Sequence, residues 1–184
     1  MGDANMVSTG PGLLYVAPIG TAEPADATTA LPTLNAWRPI GFTGDGSVFS
    51  TATTWNGIYV EELLNAARWE PNQTVETLTF AMAESTKQNL AFALNKGGAV
   101  ANDAVALEPS TPAAFLRVMI ILQAVSGARY LFRRCIQTGA TAMSNKKSPD
   151  KKLIPVVFTL EDVSPALPWK LFPAPAPAAV LGAV

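Results

Sequence analysis

Thr74–Asn95 reads TVETLTFAMAESTKQNLAFALN, and its two halves obey different periods. Thr74–Ala83 alternates, with Leu78, Phe80 and Met82 on one side and Thr77 and Thr79 on the other, the period of a half-buried strand. At Ser85 the pattern changes. Ser85 and Gln88 have the spacing of a capping box, in which a hydroxyl and a side-chain amide satisfy the first free N–H groups of a helix. Leu90, Ala93 and Leu94 then recur at helical spacing, and Gly97-Gly98 after Lys96 supplies a stop. The spacing predicts a strand running directly into a helix over about residues 85–96, long enough to cover one sheet but too short for a bundle.

Strand signals dominate on both sides of this junction. Leu13–Ile19 (LLYVAPI) is a short strand that Pro18 confines to an edge or a terminus. Trp37–Phe42 and Ser47–Thr51 read as short strands joined by a hairpin-type turn at Thr43-Gly44-Asp45-Gly46. Ile58–Leu64 begins as a strand, while Glu61–Arg68 suits either a helix or a strand. Downstream, Phe115–Val125 and Arg129–Gln137 flank Ser126-Gly127-Ala128 as a hairpin. The first of these strands has Leu116, Val118, Ile120, Leu122 and Ala124 on its core face. Its other face (Phe115, Arg117, Met119, Ile121, Gln123) is mixed, which suggests cover by a neighbouring subunit. Leu153–Asp162 is a further strand, with Pro155 marking an edge or bulge. The fold class expected is therefore mainly β with one flanking short α-helix.

The remaining segments read as connections and arms. Met1–Gly12 is small, polar and Gly-rich. Thr138–Lys152 is a polar connection with four lysines. From Ser164 onward the chain holds five of its fifteen prolines and ends PAPAPAAVLGAV, which favours an extended tail over a packed element. The expected organisation is an arm over 1–12, one domain over 13–163 and a Pro/Ala-rich arm over 164–184.

The length of 184 residues suits a single domain. Hydrophobic residues make up 49% and charged residues 15%, which excludes disorder of the whole chain and leaves few charges to cover a monomer's surface. An assembly subunit is the expectation. The chain has no His, which removes His-based triads, general bases and metal sites at once. Its single cysteine, Cys135, reads as a buried strand thiol. The N-terminus shows no signal peptide, and the longest strongly apolar run, Val118–Val125, is too short to span a bilayer, so no membrane role is expected.

Charge is uneven. Residues 1–110 carry 11 acids and 4 bases, a balance of −7, and residues 111–184 carry 3 acids and 9 bases, a balance of +6. Such polarity can be satisfied within one subunit or between neighbours. Glu61-Glu62 would point to opposite faces of a strand and cannot flank one bond as a catalytic pair. Gly44-Asp45-Gly46-Ser47 lacks the spacing and lysine of a phosphate loop. The cluster Lys146, Lys147, Lys151, Lys152 suits an acidic protein neighbour, a phosphate backbone or simple solvation, and no aromatics interleave with it to stack bases. No cofactor is expected.

The segment Thr79–Asn95, together with Gly10–Pro18, Trp37–Gly46 and Ile154–Asp162, resembles in order and spacing the major tail tube proteins of long-tailed bacteriophages. The matches cover roughly residues 10–162. The resemblance implies a β-sandwich or barrel subunit with extended arms, forming hexameric rings that stack into a hollow tube through which the genome is delivered, commonly past an acidic lumen. It also implies tape-measure, tail-tip and terminator proteins as partners, DNA in transit without sequence-specific binding, a place in the virion tail and assembly in the host cytoplasm. By position, Thr138–Lys152 would be the inter-ring loop, with Lys146, Lys147, Asp150, Lys151 and Lys152 as contact candidates. Asp45, Glu61, Glu62, Glu70 and Glu76 are the acidic candidates for a subunit contact or the lumen. Alternatives are a terminator or secretion-tube subunit of the same fold and, from another class, a soluble nucleic-acid-binding β-domain.

Overall fold

The computed structural model describes residues 12–31, 37–96, 115–142 and 152–174. Among the described residues eight antiparallel strands form one hydrogen-bonded sheet: β1 (Leu13–Pro18), β2 (Arg38–Pro39), β3 (Thr43–Ile58), β4 (Arg68–Met82), β5 (Arg117–Gln123), β6 (Arg129–Gln137), β7 (Ile154–Leu160) and β8 (Trp169–Phe172). The order is β2-β1-β5-β6-β7-β4-β3, with β8 also paired to β6. A short helix, α1 (Lys87–Ala93), follows β4. The chain is mainly β, as its periodicity predicts.

The sheet folds on itself at β6. One edge of β6 pairs with β5 throughout, while the other is shared: Arg129–Phe132 pairs with β8, and Cys135–Gln137 with β7. Between them Arg133 and Arg134 form a bulge opposite Met119, the kind of extra residue that bends a strand and turns a sheet. Two leaves result, β2-β1-β5-β6-β8 and β7-β4-β3. Leu14, Val16, Val118, Ile120 and Phe132 of the first meet Leu78, Phe80, Met82, Val156 and Phe158 of the second in one core, closed at one end by Phe92 and Ala93 of α1. Phe158 stacks between Phe80 and Phe92, at 5.8 and 4.7 Å between ring centroids. Cys135 lies fully buried in this core, as expected, where burial and the Glu161 charge push its thiol pKa upward.

A second, smaller core lies on the far side of the first leaf. Met119, Ile121, Leu131 and Phe172 are covered there by Ala27 and Trp37. Over Met119 and Ile121 the mixed face of β5 is thus covered by this chain's own connection, while Phe115 and Arg117 of that face remain exposed. Arg129, buried at 5% exposure, holds that connection by donating from Nη1 to the carbonyls of Thr29 (2.6 Å) and Asp26 (3.2 Å). Arg133 adds an ion pair with Glu23 at 2.6 Å, so part of the charge polarity between the two halves is satisfied internally.

Three local expectations are corrected. Thr43–Gly46 is not a turn: β3 starts at Thr43 and continues unbroken to Ile58, with a register shift between Gly44 and Ser47 and Gly46 at φ +78°. A glycine bulge and a glycine turn look alike in sequence. The helix spans seven residues, not 85–96, and its cap is Thr86, whose hydroxyl accepts from the Asn89 N–H at 3.2 Å. Its inward face consists of Asn89, Ala91, Phe92 and Ala93, while Leu94 is partly exposed. Finally, Trp169–Phe172 of the Pro-rich end is a packed strand, because β6 offers it a free edge and Phe172 a place in the second core. Met1–Pro11, residues 97–114 and residues 175–184 lie outside the described residues.

Candidate functional site

Among the described residues, the hairpin of β3 and β4 carries many of the exposed large apolar side chains. The two strands pair from Thr43–Met82 out to Ile58–Arg68, but β7 accompanies β4 only along Thr77–Met82. Beyond Glu76 the hairpin meets no other described strand, and every residue from Arg68 to Val75 is exposed. At about 3.3 Å per residue, Thr51–Ile58 alone projects roughly 25 Å. Glu61–Arg68, which suited either helix or strand, forms its turn, closed by the Ala67 N–H donating to the Ile58 carbonyl at 2.8 Å.

Apolar side chains crowd this projection. Tyr59, Val60, Leu63 and Leu64 sit at the apex, Leu64 with its whole surface in solvent. Trp55 and Trp69, 53% and 58% exposed, share the face that carries Phe49 nearer the body. A contiguous, aromatic-rich exposed patch marks a protein interface more than a solvated loop.

The outward face of the β7-β4-β3 leaf is of another kind. Alternation from the core positions Phe49, Leu78 and Phe158 places Val48, Ser50, Ala52 and Thr54 of β3, Gln73, Val75, Thr77, Thr79 and Ala81 of β4, and Pro155, Val157 and Thr159 of β7 on it. None of these is charged or aromatic. Hydroxyls bridge Ser50 to Thr77 between β3 and β4 at 2.7 Å, and Thr159 of β7 to Thr138, just after β6, at 2.6 Å. At the β6 margin lies a cluster invisible in the sequence: Arg117 Nε is 2.8 Å and Arg134 Nε 2.7 Å from the same Glu161 oxygen. The bulge at Arg133-Arg134 creates it by turning Arg134 outward beside Arg117. Only Arg117 is aligned for a hydrogen bond, and the Arg134 contact is electrostatic.

The acidic candidates do not converge. Glu61 and Glu62 are exposed at the hairpin apex. Glu70 pairs with Arg68 at 3.0 Å, both well exposed, a contact of little energetic weight. Glu76 accepts from the Trp169 indole N–H at 2.9 Å and so joins the two leaves. Asp45 stands at the start of β3, its side chain outside the described structure. Of the lysine candidates, Lys152 is half-buried just before β7, and Lys146, Lys147, Asp150 and Lys151 lie outside the described residues. The start of their loop is anchored, with the Thr141 hydroxyl donating to the Ala93 carbonyl at 2.8 Å.

Among the described residues no group of three or more His, Cys, Asp or Glu could hold a metal ion, and no helix is long and apolar enough to cross a membrane. A family model described as phage tail tube protein matches residues 1–166. The chain belongs to the phage tail tube protein family. No curated protein matches it. Its role is therefore structural, as a component of the tail tube of a phage virion.

Proposed function

We propose that this protein forms hexameric rings that stack into the hollow tube of a long-tailed phage, through which genomic DNA reaches the host, and that it carries no catalytic activity. The observation that carries this reading is the β3–β4 hairpin, whose apolar apex and aromatic face have no partner among the described residues. The outer edge of β3 is likewise unpaired among the described residues along sixteen residues, a template for another strand. Joining such edges around a ring removes them. Head-to-tail contacts that do not close then elongate the stack.

In this reading the hairpin is the arm that reaches a neighbouring subunit, and its apical Glu61 and Glu62 face the lysine-rich segment containing Lys146, Lys147, Lys151 and Lys152. The tape-measure and terminator proteins would bound the tube at its ends, with assembly in the host cytoplasm. The nucleic-acid-binding alternative gains nothing from Arg117 and Arg134, which share the Glu161 carboxylate.

Negative-stain electron microscopy of the purified protein, before and after concentration, tests this reading. Hollow tubes or stacked six-fold rings are expected. A monomer at every concentration overturns it, and closed single rings that never elongate point to a terminator role instead. Reversing the charge of Lys146 and Lys147 should shorten the tubes while leaving the subunit folded, and unchanged tube length would remove that loop from the contact.

A further inference from the structure

We infer that Asn56 is a site of spontaneous deamidation in the unassembled subunit, and that the aspartate and isoaspartate it yields retire the hairpin from assembly. The modification itself stands on sequence and geometry, while its consequence rests on the ring reading.

Asn56-Gly57 is the one Asn-Gly pair in the chain. Deamidation of an Asn side chain is an attack by the next residue's backbone nitrogen, so it is fastest before a residue without Cβ, whose backbone takes up the needed conformation freely. The Gly57 nitrogen gives up its proton and forms a bond to Cγ of Asn56. The Cγ–Nδ2 bond breaks, ammonia leaves, and a five-membered succinimide ring results. Water then opens either carbonyl, giving aspartate or isoaspartate. Water is the sole co-reactant and no electrons are exchanged with a second molecule. Packing also favours glycine here: a Cβ on Gly57 would lie 3.1 Å from Cε2 of the Tyr59 ring and 3.2 Å from Cβ of Ala66. The close approach of the apex thus selects the residue that makes Asn56 reactive.

Position in the fold decides how often the attack can occur. Asn56 is exposed, and it pairs with Glu70 where β3 and β4 have no third strand beside them among the described residues. A two-stranded ribbon is marginally stable by itself in water, and such segments open far more often than the body of a fold. Each opening frees the backbone around Gly57 for ring closure. The products damage what assembly uses. Aspartate at position 56 sets a second carboxylate opposite Glu70, where like charges destabilise a strand pair, and Arg68, 3.0 Å from Glu70, is left to serve both. Isoaspartate adds a methylene to the main chain of β3 and displaces the pairs Gly57–Trp69 and Ile58–Arg68, the last before the apex. Tyr59, Val60, Leu63 and Leu64 then lose their placement. In a tube, a neighbour covering the hairpin holds it closed, so the reaction marks subunits left too long outside one.

The same hairpin carries its own controls, because Asn65 and Asn72 are exposed on it but precede Ala66 and Gln73. Free subunits, kept below the concentration at which they polymerise, and tubes are stored together and sampled by peptide mass spectrometry, with fragmentation to place the amide-to-acid mass gain. In free subunits the gain should build up at Asn56 about tenfold or more faster than at Asn65 or Asn72, since Gly57 alone of the three following residues lacks Cβ. In tubes it should slow about tenfold or more, because ring closure then waits on breaking a contact. The polymerising fraction of stored subunits should fall in step with the gain. Asn56→Gln, whose longer side chain cannot close a five-membered ring, should keep both its mass and its competence. No gain at Asn56, or equal gain at all three positions, overturns the inference. Gain without loss of polymerisation, or equal gain in tubes and free subunits, overturns it as well. Absence of tubes from fresh protein is a failure of the ring reading itself, and the mass gain in free subunits still decides whether Asn56 is the site.

Discussion

The indole N–H of Trp169 donates to Oε1 of Glu76 at 2.9 Å, and through this bond the last strand of the sheet holds the base of the projecting hairpin. The same Trp169 ring stands edge-on to Phe49 of β3, 5.4 Å between centroids. Its position therefore fixes both hairpin strands where they leave the body. Trp169→Phe keeps an aromatic ring beside Phe49, though a smaller one, and removes the donor. Since a hydrogen bond to a charged, partly buried group contributes more than a neutral one, the variant should lose about 1–2 kcal/mol of stability in urea unfolding. Glu76→Gln retains an acceptor and should lose less. Equal losses would show that the strength of the bond to Trp169 depends on the carboxylate charge.

Asn89 is the polar residue on which the helix end of the core depends. Its Nδ2 donates to the carbonyls of Ile40 (2.8 Å) and Glu84 (3.1 Å), and its Oδ1 accepts from Nη1 of Arg38 at 2.9 Å. Truncation to Ala strands two carbonyls and leaves the half-buried Arg38 guanidinium, whose pKa burial lowers, without that acceptor. We expect Asn89→Ala to cost about 2–4 kcal/mol, measured by denaturant or thermal unfolding. A loss below 0.5 kcal/mol, the range of an ordinary surface substitution, would mean that water replaces all three bonds.

The parts of this fold legible in the sequence are those set by short-range pattern. β6 and its turn at Gly127, the inward set Leu78, Phe80 and Met82, and the burial of Cys135 follow from alternation and turn chemistry alone. What escaped was set by pairing at a distance. Gly46 marks a bulge only because Ser47 finds Phe80 across the ladder. Met119 and Ile121 look like an open interface until Trp37, more than eighty positions earlier, covers them. Trp169–Phe172 becomes a strand because β6 leaves it an edge. The candidate surfaces were half visible for the same reason. Residue type alone picks out the acids, but the hairpin that carries Glu61, Glu62 and Glu70 depends on the long-range pairing of Thr43–Ile58 with Arg68–Met82.

Acid should loosen the connection that covers the second core. Asp26 Oδ1 accepts from the Thr29 and Thr28 backbone N–H groups and from both hydroxyls, which lowers its pKa from the ordinary 3.8 to about 2. A carboxyl depressed in the folded state adds stability that is present above the unfolded value and lost as pH falls toward the folded one. Glu23, held down mainly by its hydrogen bond from Arg133, acts in the same direction. Unfolding midpoints taken between about pH 4 and pH 2 should therefore fall more steeply for the unsubstituted protein than for Asp26→Ala. Parallel profiles would show that the turn persists in the unfolded chain.

The apex of the hairpin separates folding from assembly. Leu63 and Leu64 are 53% and 102% exposed, so Leu63→Ser combined with Leu64→Ser should shift the subunit's unfolding free energy by no more than about 0.5 kcal/mol. Burying two leucines against another copy is a different matter, contributing roughly 3 kcal/mol or more per contact. Because every 1.4 kcal/mol is about tenfold in an association constant, the concentration needed for tubes should rise about a hundredfold. Sedimentation across a concentration series, run beside a thermal melt, measures both quantities on one preparation. A double variant that melts normally and still polymerises at the original concentration would show that the apex lies free in the assembly, and would leave the unpaired edge of β3 to carry the contact alone.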